Sequence, residues 1–318
     1  MILTESITTI HPWSVTVPRT TIAAPGHLAT ELATQPAAWL AARGLAREHA
    51  AVLPQPGERV AVIGCGSSLY VARAFAALRE KAGLGETDAW PGGDPMLSRP
   101  YDRVLAISRS GTTTEILRAL DGLAARVPVT VITADTKTPI ADLGVVISLE
   151  FVDEQSVVQS RTATTALALL RWHLGEDLGP VAEQAQSVLD LDERWFDEVR
   201  DAEQVSFVGM GWTYGVAEEA ALKLKEATQS WTDAWYQTEY RHGPISIAAP
   251  GRVVWAFGPL IPGLAADVTA TGATLIDSGI DGLAELVRVH RLCVLRAADR
   301  GLDPDRPRGL ARSIILDS

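Results

Sequence analysis

The chain has 318 residues, a formal charge of −11 from 28 Lys and Arg against 39 Asp and Glu, and two cysteines. This length favours two domains, and 47% hydrophobic with 21% charged residues excludes a disordered chain. The acidic balance argues against a general nucleic-acid binder, which needs a basic surface to neutralise phosphates. Cys65 and Cys293, far apart and set among apolar residues, make neither a disulfide framework nor a zinc cluster. They are expected to be reduced and buried. No apolar run approaches the ~20 residues that cross a bilayer. The N-terminus lacks a basic-then-apolar leader pattern. A cytoplasmic protein with no membrane partner and no metal is therefore expected.

Residues 1–25, rich in Thr, Pro and Ile, read as an irregular arm. Leu28, Leu32, Trp39, Leu40 and Leu45 then recur at helical spacing, interrupted at Gln35-Pro36, where proline suits the first turn of a new helix. A βα rhythm follows. Residues 59–63 predict a strand ending at Gly64-Cys65-Gly66-Ser67-Ser68, and 69–81 a helix. Further strands are predicted over 104–107, 127–133 and 145–149, with helices over 115–126 and 157–174. Residues 175–201, mostly polar and helical, read as a connection. The rhythm restarts with a strand at 205–208, the turn Gly209-Met210-Gly211, a helix over 214–228, strands at 253–257 and 273–276, and a helix over 283–295. Continuous apolar strands alternating with helices predict α/β architecture with parallel sheets covered on both faces. The halves look like two copies of one plan: a first domain over 26–180, and a second over 195–318.

Ser108-Arg109-Ser110-Gly111-Thr112-Thr113-Thr114 is the most informative stretch. It lies between a buried strand and a helix, where backbone N–H groups and the helix dipole favour an anion. Ligands of open α/β sheets also bind at strand ends. One hydroxyl suffices to cap a helix; five in seven positions point to phosphate, held by Ser108, Ser110 and Thr113. No Gly-Lys-Ser/Thr follows, so a Walker A loop is excluded, and the loop carries no G-x-G-x-x-G. The second half has no such stretch, so one half alone is expected to carry a cradle.

Glu219, Lys223 and Glu226 share one helix face. Such spacing usually marks an exposed ion-pair stripe, but this helix is otherwise apolar and starts at a strand-end glycine turn, so the face can meet a sugar phosphate. His242, in Glu239-Tyr240-Arg241-His242-Gly243-Pro244, is a loop histidine able to act as acid or base. His290 lies on an apolar helix and reads as structural, and His11, His27, His49 and His173 form no cluster. The basic, Pro-rich stretch 303–313 is followed by Ile314-Ile315-Leu316 and reads as tied down.

Together these motifs resemble the double sugar-isomerase-domain (SIS) family, most of all the isomerase part of glucosamine-6-phosphate synthase, over about residues 31–313. The anchors are Glu31 with Gln35-Pro36, Gly64-Cys65-Gly66-Ser67-Ser68, Ser108-Arg109-Ser110-Gly111, Ala221-Leu222-Lys223-Leu224-Lys225-Glu226, Arg241-His242-Gly243-Pro244 and Pro307-Arg308-Gly309-Leu310-Ala311-Arg312-Ser313. The resemblance implies two flavodoxin-like domains in a homodimer. It implies that Ser68, Ser108, Arg109, Ser110 and Thr113 hold the phosphate of a phosphosugar, with Gly66, Ser67, Gln159 and Lys223 around the rest. Glu226 matches the base that moves a proton between C1 and C2. His242 matches the ring-opening residue, reaching in from the partner subunit.

The departures are equally specific. Ile2 follows Met1, where the synthase's glutaminase nucleophile would stand, so glutamine-dependent amination is not expected. Arg312 stands for a lysine near the open-chain carbonyl; it is retained as a catalytic candidate although arginine forms no Schiff base. Trp231 replaces a histidine on the Glu226 helix, and Gln159-Ser160 replaces a Ser-Thr pair. The resulting expectation is an aldose–ketose isomerase or amino-sugar phosphate deaminase that needs no metal or redox cofactor. The alternatives are a non-catalytic phosphosugar sensor and a deglycase of a glycated amino acid phosphate.

Overall fold

The structure, a computed structural model, describes residues 26–316, so the expected arm at 1–25, with His11, lies outside the described residues. Helices α1 (His27–Leu32) and α2 (Gln35–Glu48) lead into β1 (Val60–Gly64), α3 (Ser67–Lys81), β2 (Thr87–Pro91), β3 (Arg103–Ile107), α4 (Thr114–Leu120), β4 (Val129–Thr133), β5 (Val145–Ser148) and α5 (Arg161–His173). Helices α6 (Gly179–Leu189) and α7 (Asp197–Arg200) connect to β6 (Gln204–Gly209), α8 (Trp212–Thr228), β7 (Trp231–Tyr236), α9 (Gln237–Tyr240), β8 (Val253–Phe257), α10 (Leu264–Ala270), β9 (Thr274–Ile276) and α11 (Gly282–Asp299). The first sheet has the order β2-β1-β3-β4-β5 and the second β7-β6-β8-β9. Every pairing is parallel. Pro36 sits in the first turn of α2, as its fixed φ favours.

The central strands are mostly apolar because both of their faces are covered. Val60, Val62, Leu105 and Ile107 from the first sheet and Val205, Phe207, Trp255 and Phe257 from the second join one core, filled by α2, α3, α5, α8 and α11. The opposite face of the first sheet packs Ala61, Ile63, Val104 and Ala106 under Ile116 and Leu120 of α4. The opposite face of the second packs Val208, Val254 and Ala256 under Leu264 and Val268 of α10. At the centre α3 crosses α8. A side chain at Gly215 would lie 2.7 Å from the Tyr70 carbonyl and the Ala74 amide, so glycine sets this close approach.

Several boundaries differ from the sequence reading. Two edge strands were not expected, β2 and β7. Their Asp88, Pro91 and Asp233 break the apolar pattern, which an edge strand tolerates because it pairs on one side only. Trp231 is not on the Glu226 helix: α8 ends at Gln229 in the left-handed region, and Trp231 opens β7, 82% exposed. Helix α5 starts at Arg161 rather than 157. The helix expected over 115–126 stops at Leu120 and resumes as a 3-10 turn after Gly122. The connection is not a polar linker. Val181, Ala185 and Val188 of α6 and Phe196 enter the main core.

Candidate active site

The first βα turn of each half has the same shape. Gly66 (φ 55°, ψ −126°) precedes α3, and Gly211 (φ 55°, ψ −125°) precedes α8. Neither conformation suits an L side chain. The strand-end glycines also match: a Cβ on Gly64 would lie 2.5 Å from the Ser68 backbone, and one on Gly209 2.5 Å from the Thr213 backbone. The turn therefore presses the strand end onto the next helix and puts Ser67 and Ser68 in the first turn of α3, both buried.

Beside it, loop 108–113 runs from β3 to α4. Ser108 and Ser110 are buried, and Gly111 is at φ 63°, where a side chain would strike Thr138. Thr113 occupies the position before α4 but makes no side-chain capping bond, so capping does not account for it. A cavity of about 40 Å³ is lined by Cys65, Ser68, Ile107, Ser108, Arg109, Ser110, Thr113, Ile116, Gln159 and Arg312. That is room for a phosphate-sized group rather than a single water. Seven of the expected residues thus meet at one place.

Arg109 is used differently from the expectation of a phosphate ligand. It is 4% exposed, and it donates from Nη1 to the Ser156 carbonyl at 2.9 Å and from Nη2 to the Arg312 carbonyl at 3.0 Å. Burial pushes its pKa below the ordinary arginine range. It ties loop and tail together while one edge faces the cavity. Arg312 is not a free cation either: Nη2 meets Asp153 Oδ1 at 2.5 Å, and Nη1 donates to the Glu154 carbonyl. The tail lies on the cradle, with Thr112 Oγ1 donating to Ser313 Oγ at 2.9 Å and Thr114 N–H to the Ile314 carbonyl at 3.2 Å. Upstream, the Asp305 carboxylate accepts from the N–H groups of His27 (2.7 Å) and Leu28 (2.8 Å), so the segment is tied down as expected.

The acidic face lies on α8. A hydrogen bond between the side chains of Ser67 and Glu219 links this helix to the first-half turn. Lys223 is buried, with Nζ 2.5 Å from Glu226 Oε2 and 3.7 Å from Glu219 Oε1. Burial works against its ammonium, but the two carboxylates outweigh this and hold its pKa above the ordinary value. Burial raises Glu219 to about 7, with Lys223 opposing. Glu226 is half-buried, leaving a carboxylate within reach of solvent and of a ligand. The exposed ion-pair stripe is thus ruled out for Glu219 and Lys223.

Gly66, Ser67, Lys223, Glu226 and His242 do not line the 40 Å³ cavity. His242 is exposed, its N–H bonded to the Glu239 carbonyl at 2.9 Å, in the turn after α9. His290 is buried on α11, with Nδ1 3.2 Å from Gln35 Nε2 and Nε2 without a partner among the described residues. Burial, with Lys223 adding, lowers its pKa to about 3, so it is neutral.

Two features escaped the sequence reading. Cys65 is not buried with Cys293 but half-buried in the cavity wall; its place between two glycines of a strand-end turn was the available signal. Glu154 is buried and accepts from the N–H groups of Ser160 (2.5 Å), Arg161 (2.9 Å) and Thr162 (3.1 Å), fixing the start of α5 beside Gln159. No spacing rule marks a carboxylate that caps from six residues upstream.

No protein-family model matches the chain. It is 27% identical to the glutamine–fructose-6-phosphate aminotransferase (isomerizing) of Gloeobacter violaceus over 82% of its own length and 52% of the relative's. It is 24% identical to that of Sulfurisphaera tokodaii over 82% and 50%. The chain spans about half the length of the curated relatives it matches. Among solved structures, glucosamine-6-phosphate deaminase from Thermotoga maritima superposes with a TM-score of 0.71 at 23% identity, covering 92% of this chain and 100% of the other. Tagatose-6-phosphate ketose/aldose isomerase from Escherichia coli superposes with a TM-score of 0.73 at 18% identity, covering 93% and 100%. The fold is that of the SIS phosphosugar structures, two parallel sheets flanked by helices. In sequence the chain resembles the isomerase part of the aminotransferase. Among the described residues, no helix is long and apolar enough to cross a membrane.

Proposed function

We propose that this chain acts on a six-carbon phosphosugar, amino-hexose phosphates included, by moving a proton between C1 and C2 as an aldose–ketose isomerase or amino-sugar phosphate deaminase. The observation that carries the reading is a hydroxyl-lined cavity of phosphate size whose wall residue Arg109 is within electrostatic reach of the Lys223–Glu226 pair on α8. Ser68, Ser108, Ser110 and Thr113 donate to the phosphate oxygens. Glu226 takes the C2 proton of the open-chain sugar and returns it at C1. With an amino sugar this leaves a C2 imine, which water hydrolyses, its oxygen staying at C2 as the ketone while ammonia leaves. Lys223, fixed between two carboxylates, stabilises negative charge on the neighbouring sugar oxygen in the enediol or enolamine intermediate. One carboxylate serves both carbons in turn.

His242 opens the ring in a second copy of the chain. Its exposure and its absence from the cavity wall support that assignment. The chain then functions as a homodimer in which each site takes one residue from the partner. Deuterium exchange at C2 of glucosamine-6-phosphate and fructose-6-phosphate in heavy water tests the reaction. Wild-type exchange that disappears in Glu226→Gln is the expected result, and equal slow exchange in both proteins ends the proposal. Saturable phosphosugar binding with no exchange or turnover identifies a sensor instead.

A further inference from the structure

Strand-end turn, helix and sheet order recur in both halves, so the active-site surroundings have a structural counterpart. In the first half, the Gly66 turn faces α8, with Ser67 hydrogen-bonded to Glu219. Across the α3–α8 crossing, Gly211 lies in a groove of about 400 Å³ with Arg73, Ala76 and Ala77 of α3, Ala89 of β2, Gly215, Tyr214 and Tyr236. Arg73 and Glu218 hold equivalent places in α3 and α8, both seven residues past their turn glycine, and they form an ion pair with each other. The local two-fold relating the halves therefore passes between them.

The groove lies at the matching glycine turn, but the loop that corresponds to the phosphate loop does not line it and carries no phosphate chemistry. Loop 108–113 carries Ser108, Ser110, Thr112 and Thr113, whereas its counterpart, loop 258–263, is Gly-Pro-Leu-Ile-Pro-Gly with no hydroxyl side chain. Arg73 is ion-paired with Glu218, whose side chain is 10% exposed, while the arginine's own is 41% exposed and keeps donors open to a ligand. Tyr236, 42% exposed, is stacked on Tyr214 with ring centroids 3.7 Å apart and planes 22° apart. The stack makes a rigid flat wall over a floor of alanine and glycine. A flat aromatic face with a guanidinium at its edge suits a ring with one apolar face and peripheral hydroxyls. The volume is within the roughly 300–1,000 Å³ of small-molecule sites.

We propose that this groove is a second ligand site that takes a hexose or amino-hexose ring without phosphate, seated on the Tyr236–Tyr214 wall with its hydroxyls on Arg73. The choice of a sugar ring rests on the phosphosugar reading of the first half. Helix α8 spans both places, Tyr214 lying in the groove and Lys223 and Glu226 in the active site.

Saturation-transfer NMR with unphosphorylated glucosamine and glucose tests the groove on the full chain. A Ser110→Ala background weakens the phosphate cradle, and glucosamine-6-phosphate affinity is measured separately on each protein. Saturable transfer in Ser110→Ala that falls at least about tenfold in both Tyr236→Ala and Arg73→Gln, with glucosamine-6-phosphate affinity unchanged by those two substitutions, supports the site. Absence of saturable binding of either free sugar overturns it, as does binding that neither substitution alters. Failure of the phosphosugar reading shows separately, as wild-type protein that does not bind glucosamine-6-phosphate.

Discussion

The loops after β3 and β8 have the same length and lead into helices of seven residues, α4 and α10. One is built of hydroxyls around Gly111, the other of two prolines and two aliphatic residues. The helices after the first turns diverge in the opposite sense. On α8 the buried face carries Glu219, Lys223 and Glu226. The equivalent places on α3 are Ala74, Leu78 and Lys81, with Ala74 and Leu78 packed into the core. Each half has thus kept the backbone and only part of the chemistry. In the proposed reading the phosphate cradle comes from the first half and the acid–base face from the second, on either side of the α3–α8 crossing. On that reading a repeated backbone plan makes one asymmetric site because each half can specialise while the shared packing holds the geometry.

The largest test of this division is on α8. Glu226→Gln should lower kcat by about 10³-fold while phosphosugar affinity, measured by calorimetry, changes little, because proton transfer by a positioned base contributes about 10²–10⁴-fold. Unchanged turnover would put the chemistry elsewhere. Homodimer use of His242 gives a second large effect. Mixing inactive Glu226→Gln and His242→Ala chains through a dissociation–reassociation cycle should restore about one quarter of wild-type activity. Half the dimers are then mixed, and each of these has one intact site. No recovery would show that His242 serves its own chain or none.

The cradle is the next step down. Ser110→Ala should weaken phosphosugar binding by about 10-fold to 100-fold, the cost of one hydrogen bond to a charged group. Leu260→Ser in the matching loop should leave it unchanged, because the second half has no surrounding hydroxyls to complete a cradle.

Local chemistry explains what was legible in the sequence. The Ser108–Thr114 run, the glycine turns and the apolar strands are contiguous signals, and they located the hydroxyl-lined cavity and most of the fold. Edge strands β2 and β7 were not legible because a strand paired on one side needs no unbroken apolar run. Long-range relations were equally silent. Nothing near Arg109 shows that its N–H groups are spent on Ser156 and Arg312 carbonyls, and nothing near Cys65 shows that its thiol faces a cavity. Glu219, Lys223 and Glu226 were visible as a helix face, but only the packing of α8 shows that Glu219 and Lys223 are buried rather than a solvated stripe.

A smaller effect tests the shared backbone itself. Gly64→Ala and Gly209→Ala both bring a Cβ within 2.5 Å of the next helix's first turn. Each should destabilise the chain by about 1–3 kcal/mol in denaturant unfolding, as overpacking does. Only Gly64→Ala should also weaken phosphosugar binding, since it displaces Ser68. Unequal stability losses would break the equivalence of the two turns.

The finest test concerns Glu219, which Ala74 replaces in the other half. Burial raises its pKa from 4.5 to about 7. Between those values the unfolded chain has released the proton and the folded chain still holds it. The unfolded state then binds fewer protons, so stability falls as pH rises across that window, by at most about 1.4 kcal/mol per pH unit, and levels off above it. Glu219→Gln removes this term, and its unfolding free energy should be flatter between pH 4.5 and 7 than that of the wild type. Parallel pH profiles for wild type and Glu219→Gln would show that Lys223 keeps Glu219 ionised throughout. The second half would then hold a buried carboxylate pair around one ammonium rather than a proton reservoir beside the base.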